Sequence, residues 1–385
     1  MPAYPSQIKS KLPKTGTSIF SVMSALAEEH KAINLSQGFP DFLCDEKLIS
    51  LVEYYMRKGL NQYAPMPGIL SLREAIAAKA ENLYGAKYNP EKEITITSGG
   101  TEAIYAAITS VIEADDEVII FEPAYDCYAP AVELNGARAI YVELTTPSYE
   151  INWNDVKKLI TQRTKMIIIN TPHNPTGMVM SAQDMKQLQK LTQNTDIIIL
   201  SDEVYEHIIF DGADHQSVMR YPKLAERSFV IFSFGKTYHN TGWKMGYCLA
   251  PEELMREMRK AHQFIVFSTN TPFQYAFADM MKDPSHYLNL RKFYEEKRNL
   301  FLKLIADSKF KAKPASGSYF QMLGYKGISN EKDTDFAVRL TKEIGVASIP
   351  SSAFYHHAVD RKMLRFCFAK SDETLERAAE RLRSV

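Results

Sequence analysis

The sequence predicts an α/β fold organised around a large, mainly parallel sheet with helices on both faces, joined to a smaller α+β domain. Three observations predict it. Short β-branched runs recur along the chain and are apolar at successive positions, so both faces of each strand are buried. Stretches of helical period separate them, as the crossovers between parallel strands require. Each run also ends in small or polar residues, where open α/β sheets bind their ligands.

Taken in order, residues 1–16 ("MPAYPSQIKSKLPK" and the two that follow) read as an N-terminal arm without an apolar core of signal-peptide length. Residues 17–42 precede the first helix of the sheet domain and are assigned to the smaller domain. The large domain spans 43–284. In it "ITIT" (94–97) leads into "GGTEAIYAAITSVI", "EVIIF" (117–121) into "EPAYDCY" and "KMIIIN" (165–170) into "TPHNPTG". "DIIIL" (196–200) leads into "SDEVYEHI", with Ser201 or Asp202 able to cap a helix "EVYEHI", and "SFVIF" (228–232) into "SFGKTYHNTGWK". From 285 to 385 the pattern changes to a long charged helix, then "GSYFQML", a second amphipathic helix, "LRFCFAK" and a terminal helix, which complete the smaller domain.

Composition narrows the function. With 385 residues, 45% hydrophobic and 24% charged, the chain can build two sizeable cores. Lys plus Arg equals Asp plus Glu at 46 each, without like-charge runs, so nothing draws the chain to nucleic acid or an anionic membrane. The longest apolar runs are strand-sized, and a cytoplasmic protein acting on a small molecule is expected. Cys44, Cys127, Cys248 and Cys367 form no C-x-x-C pair and no metal-ligand spacing, and His356–His357 reads as a loop feature, so no metal site is expected.

The polar residues at the strand ends are Thr101, Tyr125, Asn174, Asp202, Tyr205, Ser233 and Lys236. "ITITSGGTEAI" is a strand, a glycine turn and a helix start, whose free N–H groups and dipole favour a phosphate, although the same residues also make an ordinary helix start. Asp202, at the buried end of a central strand, needs a cation or several donors. One such cation is a protonated ring nitrogen. Lys236 is then an amine placed to form a Schiff base.

Eight segments in order, "INLSQGFPDF", "NQYAPMPG", "TSGGTEA", "EPAYDCY", "TPHNPTG", "SDEVYEHI", "SFGKTYHNTGWKMGY" and "LRFCFAK", carry a resemblance over nearly the whole chain. The sequence resembles the fold-type I pyridoxal-phosphate enzymes, class I/II aminotransferases, and within them the kynurenine aminotransferase (glutamine transaminase K) and methionine aminotransferase group. The resemblance implies pyridoxal 5′-phosphate as cofactor, tethered by Lys236, which then serves as the base at the substrate Cα. Asp202 would hold the ring nitrogen protonated, and Asn174 and Tyr205 would bond the ring's phenolic oxygen. Tyr125 would stack on the ring, while Gly100, Thr101, Ser233 and Lys244 would hold the phosphate, Lys244 standing where the aspartate aminotransferase branch usually has arginine. Arg365, with Asn174 and Gly38, would take the substrate carboxylate. Tyr63 would reach the phosphate of a second subunit, which makes the expected enzyme a homodimer.

Ile19, Phe20 and Phe39 offer apolar side chains near the expected pocket, in segments without arginine. A neutral donor is expected: methionine first, then aromatic amino acids, glutamine and kynurenine, with a 2-oxo acid as acceptor. Two alternatives remain at this point, a carbon–sulfur β-lyase using the same cofactor and a non-enzymatic cofactor-binding protein.

Overall fold

The structure, a computed structural model, describes residues 8–385, so residues 1–7 of the expected arm lie outside the described residues. The apolar runs form a seven-stranded sheet. Its strands are β1 (Ile94–Thr97), β2 (Glu117–Glu122), β3 (Arg138–Glu143), β4 (Thr164–Asn170), β5 (Ile198–Asp202), β6 (Ser228–Ser233) and β7 (Gly246–Leu249). In space they run β1-β7-β6-β5-β4-β2-β3. β7 is antiparallel to both its neighbours, and the pairs β6·β5, β5·β4, β4·β2 and β2·β3 are parallel. Every residue of β1 and β2 is buried, as strands covered on two faces must be.

Three local features differ from the sequence expectation. β5 starts two residues later than "DIIIL", because Arg227 draws the carbonyls of Thr195 and Ile197 out of the ladder (2.8 and 3.2 Å). Ser201 and Asp202 therefore belong to the strand itself. The segment "EVYEHI" is no helix but two successive turns, Glu206 N–H to Glu203 O and Ile208 N–H to Tyr205 O (2.9 and 2.8 Å). Its carboxylates are pulled to separate buried partners: Glu203 accepts from Ser201, His215 and the Val218 N–H, whereas Glu206 meets Lys79 and Tyr84. β3 and β7 are additional strands; β3 is one of the two edge strands and only one of its residues is fully buried.

A second layer carries its own core. Strands β8 (Lys311–Ala312), β9 (Phe320–Gly324), β10 (Ile349–Pro350) and β11 (Met363–Cys367) form an antiparallel sheet ordered β10-β11-β9-β8. Helices Leu290–Leu304 and Asp372–Arg383 cover it, and Phe301, Phe310, Phe336, Phe366 and Leu375 fill the core. Helix Ile19–Glu29, begun by Ser18 accepting from the Ser21 N–H (3.3 Å), buries Met23 in the same core, and Ile33–Asn34 pairs in parallel with Val346–Ala347. The carboxyl ends of β1, β2, β4, β5 and β6 face this layer, and the site lies between them.

Candidate active site

A cavity of about 300 Å³ opens at those carboxyl ends. Its floor is Asp202. The residue is 3% exposed, and its carboxylate accepts from Tyr128 OH (2.6 Å) and the Val204 N–H (3.3 Å). Burial pushes its pKa up to about 6, although those two donors and the Lys236 charge pull the other way. Its backbone is fixed as well, since Asn170 Nδ2 donates to Asp202 O (2.9 Å) and Asn170 Oδ1 accepts from the Asn174 N–H (2.8 Å).

Lys236 follows β6 on a short helical turn, Phe234–Thr237, and its amine enters the cavity. Burial lowers its pKa to about 8, and the Arg365 and Lys244 charges act in the same direction. The amine donates to Gly38 O (3.1 Å) and to Tyr319 OH (2.9 Å).

One wall is the glycine turn after β1. Gly99 has φ +78°, which a side chain rarely tolerates, and opens the helix Gly99–Val111. Gly246 lies against this turn: a Cβ there would stand 2.8 Å from Gly99 C and 3.0 Å from Gly100 N. Lys244 reaches over the turn, its Nζ 3.5 Å from where a Gly99 Cβ would sit. Thr101 Oγ1 lies 3.5 Å from Tyr125 OH, and Ser233 completes this side.

Arg365, in β11, is 1% exposed, a deep cation rather than a surface one. It donates to Asn174 Oδ1 (2.8 Å) and Ser36 O (2.7 Å), while its Nε finds no partner among the described residues. Phe320 lies under the guanidinium at 3.9 Å, with Phe20 and Phe354 each at 5.1 Å. Across this wall the two layers are tied together: Glu122, the last residue of β2, accepts from the His356 N–H (2.6 Å) and faces its Nδ1 (2.7 Å), and the Ala124 N–H donates to Phe354 O (2.8 Å).

The cavity thus gathers Gly38, Phe20, Phe39, Gly100, Thr101, Tyr125, Asn174, Asp202, Tyr205, Ser233, Lys236, Lys244 and Arg365. Two expected residues lie elsewhere. Ile19, one position before Phe20 on its helix and so turned by about 100°, faces an adjoining space of about 640 Å³ that shares Tyr125. Tyr63 is 83% exposed, edge-on to Phe267 at 5.2 Å and outside this chain's own cavity. Sequence reasoning did not single out Tyr128, Asn170, Tyr319 or Phe320. Signals existed in the second tyrosine of "YDCY", the asparagine ending "KMIIIN" and the aromatic pair of "GSYF".

The chain matches the family model "Aminotransferase class I and II" over residues 30–382. It is 47% identical over 378 residues to the methionine aminotransferase of Escherichia coli (strain K12), covering 98% of each chain. It is 31% identical over 393 residues to human kynurenine–oxoglutarate transaminase 1, with 93% of each covered. A crystal structure identifying a methionine aminotransferase function in Escherichia coli superposes with a TM-score of 0.97 at 46% identity, over 99% of this chain and 100% of that one. Thermus thermophilus aspartate aminotransferase with maleate does so at 0.90 and 28% identity, over 98% and 99%. The strand-end cavity and these matches together place the chain in the class I and II aminotransferase family.

Proposed function

We propose that the chain is a pyridoxal 5′-phosphate-dependent aminotransferase that moves the amino group of a neutral amino acid, methionine first, to a 2-oxo acid by a ping-pong route. Aromatic amino acids, glutamine and kynurenine follow as donors, and the working form is a cytoplasmic homodimer. The observation that carries the cofactor assignment is Asp202, a buried carboxylate whose donors among the described residues are a tyrosine hydroxyl and one N–H. Such a group favours a cation, and a protonated ring nitrogen supplies one. The donor set around it fits the rest of the group. The Gly99–Thr101 helix start, Ser233 and Lys244 suit a phosphate, Tyr125 a ring face, Asn174 and Tyr205 a phenolic oxygen, and the Lys236 amine an aldehyde.

When bound, pyridoxal phosphate supplies an aldehyde that takes the amino group and a ring that accepts the electron pair left at the substrate Cα. The chain's own residues do the rest. Arg365, its guanidinium plane fixed by Asn174 Oδ1 and Ser36 O, lines the cavity and suits a substrate carboxylate, holding the α-carbon in place. Lys236 Nζ takes the proton from that carbon, and burial favours the neutral amine that this needs. Phe20, Phe39 and Phe320 give the cavity an apolar wall.

Methionine is favoured because the cations lining the cavity are Lys236, Lys244 and Arg365, all with duties already. A second carboxylate would be desolvated without a partner, whereas each buried methylene gains about 0.8 kcal/mol. The likeness to a methionine aminotransferase supports the same reading. A shared site is supported by the exposed aromatics Tyr63 and Phe264 (83% and 84%), a surface that a second copy would cover. Four free cysteines suit a reducing compartment.

Borohydride reduction followed by peptide mapping should place the cofactor on Lys236, and kcat/KM should be higher for methionine than for aspartate. A label on Lys244 or on no lysine refutes the tether, and aspartate equal to methionine refutes the substrate. Ammonia and pyruvate released from cystathionine without a 2-oxo acid would point to β-elimination instead.

A further inference from the structure

Tyr319 is fully buried, and its hydroxyl sits in a closed triangle with the Lys236 amine and the Gly38 carbonyl. The hydrogen-bond directions are set by chemistry. A carbonyl oxygen only accepts, so Gly38 O takes one bond from Tyr319 OH (2.5 Å) and one from Lys236 Nζ (3.1 Å). Tyr319 has then used its single proton on Gly38, and toward Lys236 it can only accept, at 2.9 Å. A neutral amine has two N–H groups and one lone pair. Both N–H groups are committed, and the lone pair is left free.

From this triangle we propose that Tyr319 is a positioning residue for the transamination: it seats the free Lys236 amine with its lone pair uncommitted, ready to receive the substrate Cα proton. The inference rests on the function proposed above and adds a residue to it. The lone pair of Nζ forms a new N–H bond to the arriving proton, and the C–H pair stays with the substrate carbon, where a bound cofactor ring would accept it. Of the three N–H groups then present, two still face Gly38 and Tyr319. The third carries the proton to be returned. Without the phenol, the amine can rotate about its stem, and a random N–H meets the substrate instead of the lone pair. The geometry also links the base to substrate binding, because Gly38 lies in the segment that includes Ser36, whose carbonyl accepts from Arg365 (2.7 Å).

The test is Tyr319→Phe, which keeps the ring and removes the hydroxyl. In the loaded enzyme the single-turnover rate with methionine should fall about 10- to 100-fold. The primary isotope effect with Cα-deuterated methionine should grow, because proton transfer becomes slower than the steps around it. KM for methionine should change less than twofold, as a rough bound, since Arg365 is untouched. In the cofactor-free enzyme, the pH midpoint for labelling Lys236 with trinitrobenzenesulfonate should move down by about one unit, the ammonium having lost an acceptor. Tyr319→Leu, read by the same measurements, stands in should the phenylalanine variant not fold. An unchanged isotope effect, a single-turnover rate within about twofold and an unchanged labelling midpoint overturn the role of Tyr319 while the transaminase reading stands. A wild-type protein that moves no amino group from any donor overturns both.

Discussion

Lys236 carries a cost that its function demands. Its folded-state pKa of about 8 lies below the ordinary 10.5, so between those values the unfolded chain holds more protons than the folded one. Stability therefore rises with pH through that window, and the penalty is complete at pH 7, where both states are protonated. In the cofactor-free protein, Lys236→Met should be more stable than wild type at pH 7 by on the order of 2–3 kcal/mol. The gap should close between pH 8 and 10.5, which urea denaturation at several pH values will read. Asp202→Asn should keep the fold and lose about 10²- to 10³-fold or more in kcat, because an amide cannot hold a ring cation. An active variant with normal cofactor absorbance would contradict that role. Asp202 and Lys236 were legible in the sequence because a polar residue breaks an apolar run. Tyr128 and Tyr319 were not, because their roles lie in what they touch, and nothing local in a tyrosine tells which distant group its hydroxyl will meet.

At the scale of elements, the apolar runs at 94, 117, 165, 196 and 228 were legible because burial on both faces leaves a continuous signal. β7 was not, since "GYCL" is short and opens on the glycine that lets the Gly99 turn pack. "EVYEHI" has helical propensity, but tertiary contacts of Glu203 and Glu206 override it. The contact between the end of β2 and the 351–357 segment has its own consequence. Glu122 sits three residues before Tyr125, and His356 two after Phe354, so one carboxylate sets the distance between the expected ring stack and the aromatic wall of Arg365. Glu122→Gln loses about 1 kcal/mol of that tie, and KM for methionine should rise roughly fivefold while kcat holds. A parallel fall in kcat and thermal stability, with KM constant, would make Glu122 merely structural.

Across the whole molecule, the expected division into 43–284 against 17–42 with 285–385 remains our proposal for the two domains, and Tyr63 for the part a partner supplies. Mixing an inactive Tyr63→Phe variant with an inactive Lys236→Ala variant should restore part of the activity if subunits exchange, because one of the two sites in a heterodimer then has both residues. A fully active monomer by light scattering excludes the shared site. The cavity is assembled from strand ends and from Arg365 in the second layer, far apart along the chain. Helices can form early from local contacts, yet no two or three strand ends make a binding site. During refolding from denaturant, helical circular dichroism should therefore return before the protein turns yellow, and the delay between the two signals times the docking of the second layer onto the first. A colour that appears with the helices would mean that the large sheet captures the cofactor by itself.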